Sequence, residues 1–506
     1  GNADLQLGVL YNRRNSNNPA AAKAAFTIGA TVAAARSMRL GSLPVTFRYR
    51  LRMPLTGMFF SPQYGELYYE IYLGNRSGLV RAAWPGNFLR LDNLLSADLH
   101  FGATTLRLGY RLDYSSSKAS HIVTRRLSHC AVVGITCEWI SLGAGSRVTP
   151  ALKTINALFR SLRNAAAKTI LAAAACGGLS GCHSIESWDN DVYGNFDALW
   201  TIMDTHYCFF REKGIDWEET GQRYRRQLKP DMDATEFFGV CADMLAELRD
   251  GHTNLSSWFD VSYYRQWWSD YPQNFNLRLI QENYLGFDYH SGGPIIYKIL
   301  EDENIGYMHY STFAADYGMA FLDNMLYSMR ECDALIIDVR DNGGGNLTVV
   351  DKLVSQFIDQ TITAGYICHK TGPGHDDFSR PFAYTIEPAT GHVRWLKPVV
   401  VLTNRSTFSA ANNFVSIMKS RKNTAIVGDI TGGGSGMPFS SELPCGWGIR
   451  FSASPVYDAD MNLTENGVEP SRNCRIDMNP AAEARGRDSI VDFAIALIKA
   501  SVKPAS

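Results

Sequence analysis

Charge is distributed unevenly along the 506 residues of this chain. Residues 1–168 contain 21 Lys and Arg against seven Asp and Glu, whereas the remaining residues contain 28 against 43. The formal net charge of -1 therefore conceals a basic segment followed by an acidic one. Such a step predicts two segments with different surroundings, and the length predicts two or three folded units.

Strict alternation of apolar and polar residues marks the basic segment, most clearly at 43–53 and 105–114 and more weakly at 66–73 and 129–142. Arginines dominate the polar positions, a pattern typical of a lipid-facing barrel wall with a polar lumen. Residues 1–148 resemble the closing strands of a bacterial outer-membrane β-barrel, as a fragment, because only five or six strands are visible and a small barrel needs about eight. A soluble antiparallel sheet with one wet face is the alternative. Either reading explains the basic residues without nucleic acid, which we do not expect as a partner.

A signal-like segment follows, within a predicted linker at 149–190. Three basic residues precede an apolar run at 169–178, and "LSGC" at 179–182 resembles a lipobox, which makes Cys182 a candidate for lipidation. An Ala-rich helix packed between domains is the alternative. The chain has no run of the ~20 apolar residues that a spanning helix needs. We therefore expect a location in the bacterial cell envelope, at the outer membrane or in the periplasm, through a lipid anchor or the barrel-like segment.

The second half of the chain has an α/β pattern. Four apolar runs predict strands, and amphipathic stretches between them predict helices, so a mixed sheet with crossovers is expected. The strand runs are 304–310, 333–340, 397–403 and 424–429. We predict a helical subdomain at 191–260 and an α/β core at 261–506.

Three stretches in this half carry residues suited to catalysis. Ser409 stands between a strand and a helix, where backbone N–H groups point outward and can hold an anion. His252 lies in "LRDGHTNL" (248–255), in a turn and not in an apolar core. A strand runs into three glycines at 343–345, whose backbone can approach a substrate closely.

Together with "GVEPS" (467–471), these stretches resemble the tail-specific, or C-terminal-processing, serine peptidases of family S41. The resemblance covers roughly residues 190–500. It implies hydrolysis of peptide bonds in peptides or unfolded proteins, often near the C-terminus, by an α/β core. No cofactor is implied.

The family uses either a Ser–Lys dyad or, in the branch that is similar to the tricorn core protease, Ser and His with a supporting Glu. The dyad lysine is replaced by Gly434, and Lys419 stands ten residues along the helix from Ser409, about 15 Å away and too far for proton transfer. His252 is therefore the expected base. By motif the supporting carboxylate is Glu465, or as second choice Glu469.

The same resemblance implies an oxyanion hole made from the backbone N–H of Ala410 and one N–H from Gly343 or Gly344. Two positions depart from the family pattern: Gly251 replaces a serine beside the base, and Asn412 replaces a glutamate after the nucleophile. The segment between His252 and the strand at 304 is too short for the PDZ module that many members carry.

Ten cysteines without a C-x-x-C pair or His spacing predict neither a disulfide framework nor a metal site. Two other functions remain open at this point. The chain could be an inactive S41-fold protein that binds a small hydrophobic or peptide ligand, or a barrel protein with a passenger peptidase domain.

Overall fold

A computed structural model describes residues 2–11, 20–60, 80–101, 104–119, 122–137 and 188–502. They form two compact units, with the division between residues 137 and 188. The expectation of an antiparallel β segment followed by an α/β core is confirmed. The strand predicted at 66–73, the signal-like segment and Cys182 lie outside the described residues.

The first unit is an antiparallel sheet with the strand order β1-β2-β3-β5-β6-β7 and with β4 beside β3. Among the described residues β1 and β7 are the two ends of this order, so closure of the sheet, which the barrel interpretation requires, is not confirmed. The strands are β1 Asn2–Tyr11, β2 Ala20–Leu40, β3 Leu43–Phe60, β4 Val80–Ala83, β5 Phe88–Phe101, β6 Thr104–Ala119 and β7 Ile122–Cys137.

The two faces of this sheet differ as the alternation predicts. One face exposes large apolar side chains on four strands, among them Phe47, Tyr49, Leu95, Leu108, Tyr110, Leu127, Val133 and Ile135. On the other face the buried Asp98 accepts hydrogen bonds from Arg107 at 2.6 Å and Arg48 at 2.7 Å. These hydrogen bonds, that from Arg107 first, lower the pKa of Asp98 to about 2. Cross-strand carboxylates therefore pair with several arginines of this face.

The second unit holds the remaining elements. Its strands are β8 Asn254–Ser256, β9 His290–Gly292, β10 Ile295–Leu300, β11 Ile305–Tyr310, β12 Ala334–Asp338, β13 Ile362–Ile367, β14 Phe382–Ile386, β15 Val399–Thr403, β16 Thr424–Gly428, β17 Gly436–Glu442 and β18 Gly448–Tyr457. Its helices are α1 Val192–His206, α2 Phe210–Lys213, α3 Trp217–Arg225, α4 Ala234–Ala246, α5 Gln266–Ser269, α6 Leu277–Ile280, α7 Met319–Ser328, α8 Leu347–Val354, α9 Ala410–Lys419, α10 Pro480–Glu483 and α11 Ser489–Val502. No helix among the residues described here is long and apolar enough to cross a membrane.

Two sheets organise this unit. The first has the order β16-β15-β12-β11-β10-β9, in which the four strands predicted from the apolar runs are mutually parallel. All five residues of β12 and of β15 are buried, as expected for strands covered by apolar side chains on both faces. The second sheet is antiparallel, with the order β14-β13-β18-β17 and β8 against β18. The carboxyl ends of parallel strands are where such sheets place ligand sites.

Candidate active site

Ser409 lies in the turn between β15 and α9, immediately before the first helical residue. Its φ of 57° and ψ of −121° form a conformation that L-residues rarely adopt. Two backbone hydrogen bonds hold the turn, from Ser409 to the carbonyl of Gly433 at 2.8 Å and from Phe408 to the carbonyl of Asn342 at 3.0 Å. A strained strand-to-helix turn of this kind exposes a side chain at the edge of the sheet, as nucleophile turns do.

His252 reaches Ser409 from a turn after α4. Its Nε2 is 2.9 Å from the Ser409 Oγ, although 157 residues separate the two in sequence. The ring is buried, and its centroid lies 4.7 Å from that of Phe408. Burial, and then the charge of Arg450, lower the pKa of His252 to about 3. The imidazole is therefore neutral at neutral pH and able to accept a proton.

The carboxylate of Glu465 is hydrogen-bonded to groups other than His252. Its Oε1 accepts from Lys213 Nζ at 2.9 Å, and its Oε2 accepts from the N–H of Ser435 at 2.8 Å and of Gly436 at 3.3 Å. These donors occupy the carboxylate, so Glu465 supports the base through the backbone beside it and not through a direct hydrogen bond. Among the described residues, the buried Nδ1 of His252 has no hydrogen-bond partner.

Glu469, the second choice for the supporting carboxylate, contacts other residues. Its side chain is exposed and lies 3.6 Å from Arg475, and its carbonyl accepts from Lys419 Nζ at 2.8 Å. Lys419 is therefore directed away from Ser409, in agreement with its exclusion as the base.

Lys213, at the end of α2, is the centre of a buried cluster that the sequence does not reveal. Besides Glu465 it lies 4.0 Å from Asp250 Oδ2, and Asp250 Oδ1 accepts from the backbone N–H of His252 at 2.7 Å. We call Lys213, Asp250 and Glu465 the Lys213 cluster. Through Asp250 the cluster binds the backbone N–H of His252, and through Glu465 it binds the backbone N–H groups of Ser435 and Gly436.

Burial and ion pairing oppose each other in the Lys213 cluster. Burial acts to lower the pKa of Lys213, but Asp250 and Glu465 outweigh it and the pKa is raised. Burial acts to raise the pKa of Asp250, but Lys213 and His252 outweigh it and the pKa is lowered. Burial raises the pKa of Glu465 to about 7, against the attraction of Lys213.

The predicted oxyanion donors are only partly available. The N–H groups of Ala410 and Gly343 make no hydrogen bond within the described part of the chain. The N–H of Gly344 instead donates to Asn342 Oδ1 at 2.9 Å, which favours Gly343 over Gly344 as the second donor. Gly344 has a different function, because a Cβ there would stand 2.6 Å from the Phe408 carbonyl oxygen and 2.7 Å from the Ala410 nitrogen. Because any larger residue at position 344 would clash with these atoms, glycine is required for the 343–345 turn to pack against Ser409.

A cleft of about 560 Å³ opens onto Ser409 and His252. The glycine turn, Thr312 and Ala314 form one side, and Met437, Pro438, Arg450 and Val456 line it from β17 and β18. Both departures from the family pattern have a physical reason here. A Cβ on Gly251 would stand 2.6 Å from Trp267 Nε1 and 2.9 Å from Phe408, and Asn412 is buried in hydrogen bonds with Thr464 and Thr431.

Neither Asp250 nor Lys213 was identified from the sequence as a residue of the site. Asp250 stands inside the "LRDGHTNL" motif, two residues before the base, and could have been singled out there. Lys213 is 252 residues from Glu465, in a short helix without any motif, so no sequence signal points to it.

Comparisons with known families divide the chain as the structure does. Residues 1–145 match a family described as a protein of unknown function (DUF3316). Residues 189–246 match the tricorn protease C1 domain, and residues 304–473 match peptidase family S41.

Two curated relatives are the carboxy-terminal processing proteases CtpB and CtpA of Bacillus subtilis. They are 25% and 22% identical over 179 and 177 residues, which are 34% and 35% of this chain. The matched regions span only about a third of these relatives, 35% and 36% of their length.

A solved structure from Parabacteroides merdae, assigned as that of a peptidase, is a nearer match. It is 45% identical, with a TM-score of 0.59, over 61% of this chain and 97% of that chain. Its near-complete coverage, and the family match across the strand and helix that position Ser409, show that this chain belongs to peptidase family S41.

Proposed function

We propose that this protein is a serine peptidase in which Ser409 is the nucleophile and His252 is the general base. The observation that carries the proposal is the 2.9 Å hydrogen bond between Ser409 Oγ and His252 Nε2 inside an open cleft. The strained backbone of Ser409 and the neutral state of His252 support it.

The reaction follows from the positions of these groups. Ser409 Oγ attacks the peptide carbonyl carbon while its proton passes to His252 Nε2. The tetrahedral intermediate collapses by breaking the C–N bond, and His252 returns the proton to the leaving amine. Water then attacks the acyl-enzyme, giving a proton to His252, and Ser409 Oγ recovers that proton as the carboxylic acid product leaves.

Backbone donors would stabilise the oxyanion of the intermediate. Ala410 and Gly343 are the proposed donors, because their N–H groups are unoccupied and both residues line the cleft. Asp250 and Glu465 act as positioning residues: Asp250 holds the backbone of His252, and Glu465 holds residues 435 and 436 beside the imidazole.

Peptides or unfolded proteins cleaved near their C-termini are the proposed substrates. The name of the two Bacillus relatives, carboxy-terminal processing protease, supports this substrate class. The open cleft at Ser409 leaves room for a peptide beside the nucleophile.

Labelling with a fluorophosphonate tests the proposal, because such probes form a covalent bond with an activated serine. We expect the full chain to be labelled, Ser409→Ala and His252→Ala to lose labelling, and Ser406→Ala, a neighbouring serine that does not line the cleft, to keep it. Labelling that survives His252→Ala would point to another base. A folded chain without labelling would favour a binding protein on the S41 fold.

We also propose that the protein lies in the cell envelope, attached through its N-terminal sheet or through a lipid on Cys182. The exposed apolar face of that sheet, and the cross-strand ion pairs on its arginine face, support the first route. The lipobox-like segment supports the second. Fractionation of cells that carry the chain or its Cys182→Ala variant tests both, and release of the unaltered chain into the soluble fraction would contradict them.

A further inference from the structure

Arg450 lines the cleft on the side of the general base. It lies in β18, where its backbone pairs with Ser440 of β17 and with Asn254 of β8. β8 begins two residues after His252, so the base and Arg450 belong to adjoining parts of one wall. The same cleft reaches both Ser409 and Arg450.

The guanidinium of Arg450 is not paired with another side chain among the described residues. Within the described residues it makes no hydrogen bond and no ion pair, and its side chain is only partly exposed. Two other arginines of this unit have partners in the protein. Arg340 binds Asp338 and Asp488, and Arg421 donates to several backbone carbonyls.

Burial and neighbouring charges act on Arg450 in opposite directions. Burial lowers the pKa of Arg450, with Asp250 and Tyr263 acting in the opposite direction. Asp250, the nearest candidate partner, is drawn to Lys213 and to the backbone of His252. The charge of Arg450 also destabilises the protonated form of His252. After burial, it is the second cause of the lowered pKa of His252. Since the side chain of Arg450 lines the open cleft, a ligand in the cleft can bind its guanidinium.

We propose, resting on the peptidase function proposed above, that Arg450 binds a carboxylate of the substrate on the leaving-group side of the cleaved bond. His252 must deliver its proton to the leaving amine, so the leaving segment passes the wall that contains His252 and Arg450. The planar guanidinium can donate two parallel hydrogen bonds to a carboxylate. Met437, Pro438 and Val456 line the same side and fit the aliphatic part of such a residue.

The carboxylate can come from two sources, an Asp or Glu side chain just after the cleaved bond or the C-terminal carboxylate of a short leaving segment. Digestion of a peptide library by the full chain, with cleavage sites read by mass spectrometry, separates them. Enrichment of Asp and Glu after the cut identifies the side chain. Cleavage that depends on a free C-terminus, and is lost when the peptides are amidated, identifies the terminal carboxylate.

Matched peptides then measure the contribution of Arg450. A hydrogen bond to a charged group is worth about 1.5–3 kcal/mol, so we expect kcat/KM for the carboxylate peptide to exceed that of its amide counterpart by about 10- to 100-fold. Arg450→Gln should reduce this ratio to about one, Arg450→Lys should keep part of it, and Arg450→Glu should favour a peptide with Lys instead. Arg472→Gln, which removes the same charge from an exposed position outside the cleft, should leave the ratio unchanged.

Ratios are compared because loss of Arg450 also raises the basicity of His252 and changes the rate with every peptide. Equal hydrolysis of both peptides by the parent chain, or an unchanged ratio in Arg450→Gln, overturns this inference alone. Absence of both hydrolysis and fluorophosphonate labelling overturns the peptidase function instead. If labelling occurs without hydrolysis, the protection that the two peptides give against labelling provides the same comparison, and equal protection would again reject the role of Arg450.

Discussion

At Ser409 the chain accepts an unfavourable backbone conformation and thereby places a hydroxyl 2.9 Å from Nε2 of a neutral histidine. Conformations of this kind cost about 1–3 kcal/mol and persist only where the surroundings impose them. Here the imposing contacts are the hydrogen bonds to Gly433 and Asn342. The surroundings therefore fix this conformation, and any residue with a Cβ is strained there.

Replacement of Ser409 by glycine should separate stability from activity. Glycine adopts a φ of 57° without steric cost, so we expect Ser409→Gly to raise the free energy of unfolding by about 1 kcal/mol while abolishing fluorophosphonate labelling. Ser406→Gly should not stabilise, since Ser406 has no positive φ. Urea denaturation measures both variants, and a destabilised Ser409→Gly would show that the turn is not strained.

The buried His252 should shift the pH dependence of activity. Because its pKa is lowered to about 3, the neutral base persists well below pH 6.5, so the acidic limb of kcat/KM should fall below the ordinary range of histidine. In the same window the unfolded chain binds a proton that the folded chain does not. His252 therefore lowers stability progressively as the pH falls from 6.5 toward 3. Glu465, with a pKa raised to about 7, could titrate in the same range, so an acidic limb at 6.5 or above that persists in Glu465→Gln would contradict the buried, neutral state.

Among the elements, the glycine turn after β12 determines how closely two loops approach each other. Gly344 has a φ of 94° and faces the backbone of Phe408 and Ala410. We expect Gly344→Ala to lower the free energy of unfolding by about 1–3 kcal/mol and to suppress labelling of Ser409. Gly343→Ala is the control for stability, because nothing lies within 4 Å of a Cβ there and its φ is not positive. Equal denaturation midpoints for the two variants would show that the contact is dispensable.

The Lys213 cluster joins α2 to the turns that hold the base and the 435–436 backbone. Removal of the lysine leaves two buried carboxylates without their cation, which typically costs about 3–5 kcal/mol. Lys213→Met should therefore be strongly destabilised in thermal and urea denaturation. Adding Glu465→Gln should restore part of the loss, because one uncompensated charge is removed with it. Strictly additive effects of the two substitutions would show that the residues do not interact.

Across the whole second unit, Arg340 connects the central sheet to the end of the chain. Its guanidinium binds Asp338 of β12 at 2.5 Å, and it binds Asp488, beside the start of α11, at 2.9 Å. It also donates to the carbonyl of Asn274 at 3.0 Å. All three charged side chains are fully buried, so the network is satisfied only when distant segments have assembled.

Loss of Asp488 should therefore destabilise the unit as a whole. We expect Asp488→Ala to lower the free energy of unfolding by about 3–5 kcal/mol, because Arg340 retains a buried charge with one carboxylate missing. Asp492→Ala removes a more exposed carboxylate of α11, which pairs with Arg487 and accepts a hydrogen bond from Tyr284, and should cost less, about 1–2 kcal/mol. Similar losses for the two variants in urea denaturation would contradict a network role for Arg340.

Local patterns in the sequence determined the elements of this protein and its candidate nucleophile and base. Alternation predicted the antiparallel sheet, apolar runs predicted β11, β12, β15 and β16, and motifs selected Ser409 and His252. Such patterns persist because each element must bury its own apolar residues, whatever it packs against.

Only the tertiary structure decided which polar groups meet. It paired Glu465 with Lys213 and not with His252, gave the N–H of Gly344 to Asn342, and left Arg450 unpaired in the cleft. These contacts join residues from different elements, up to 252 positions apart. A buried charge takes whichever partner the packing brings within hydrogen-bond distance, and no local periodicity records that choice.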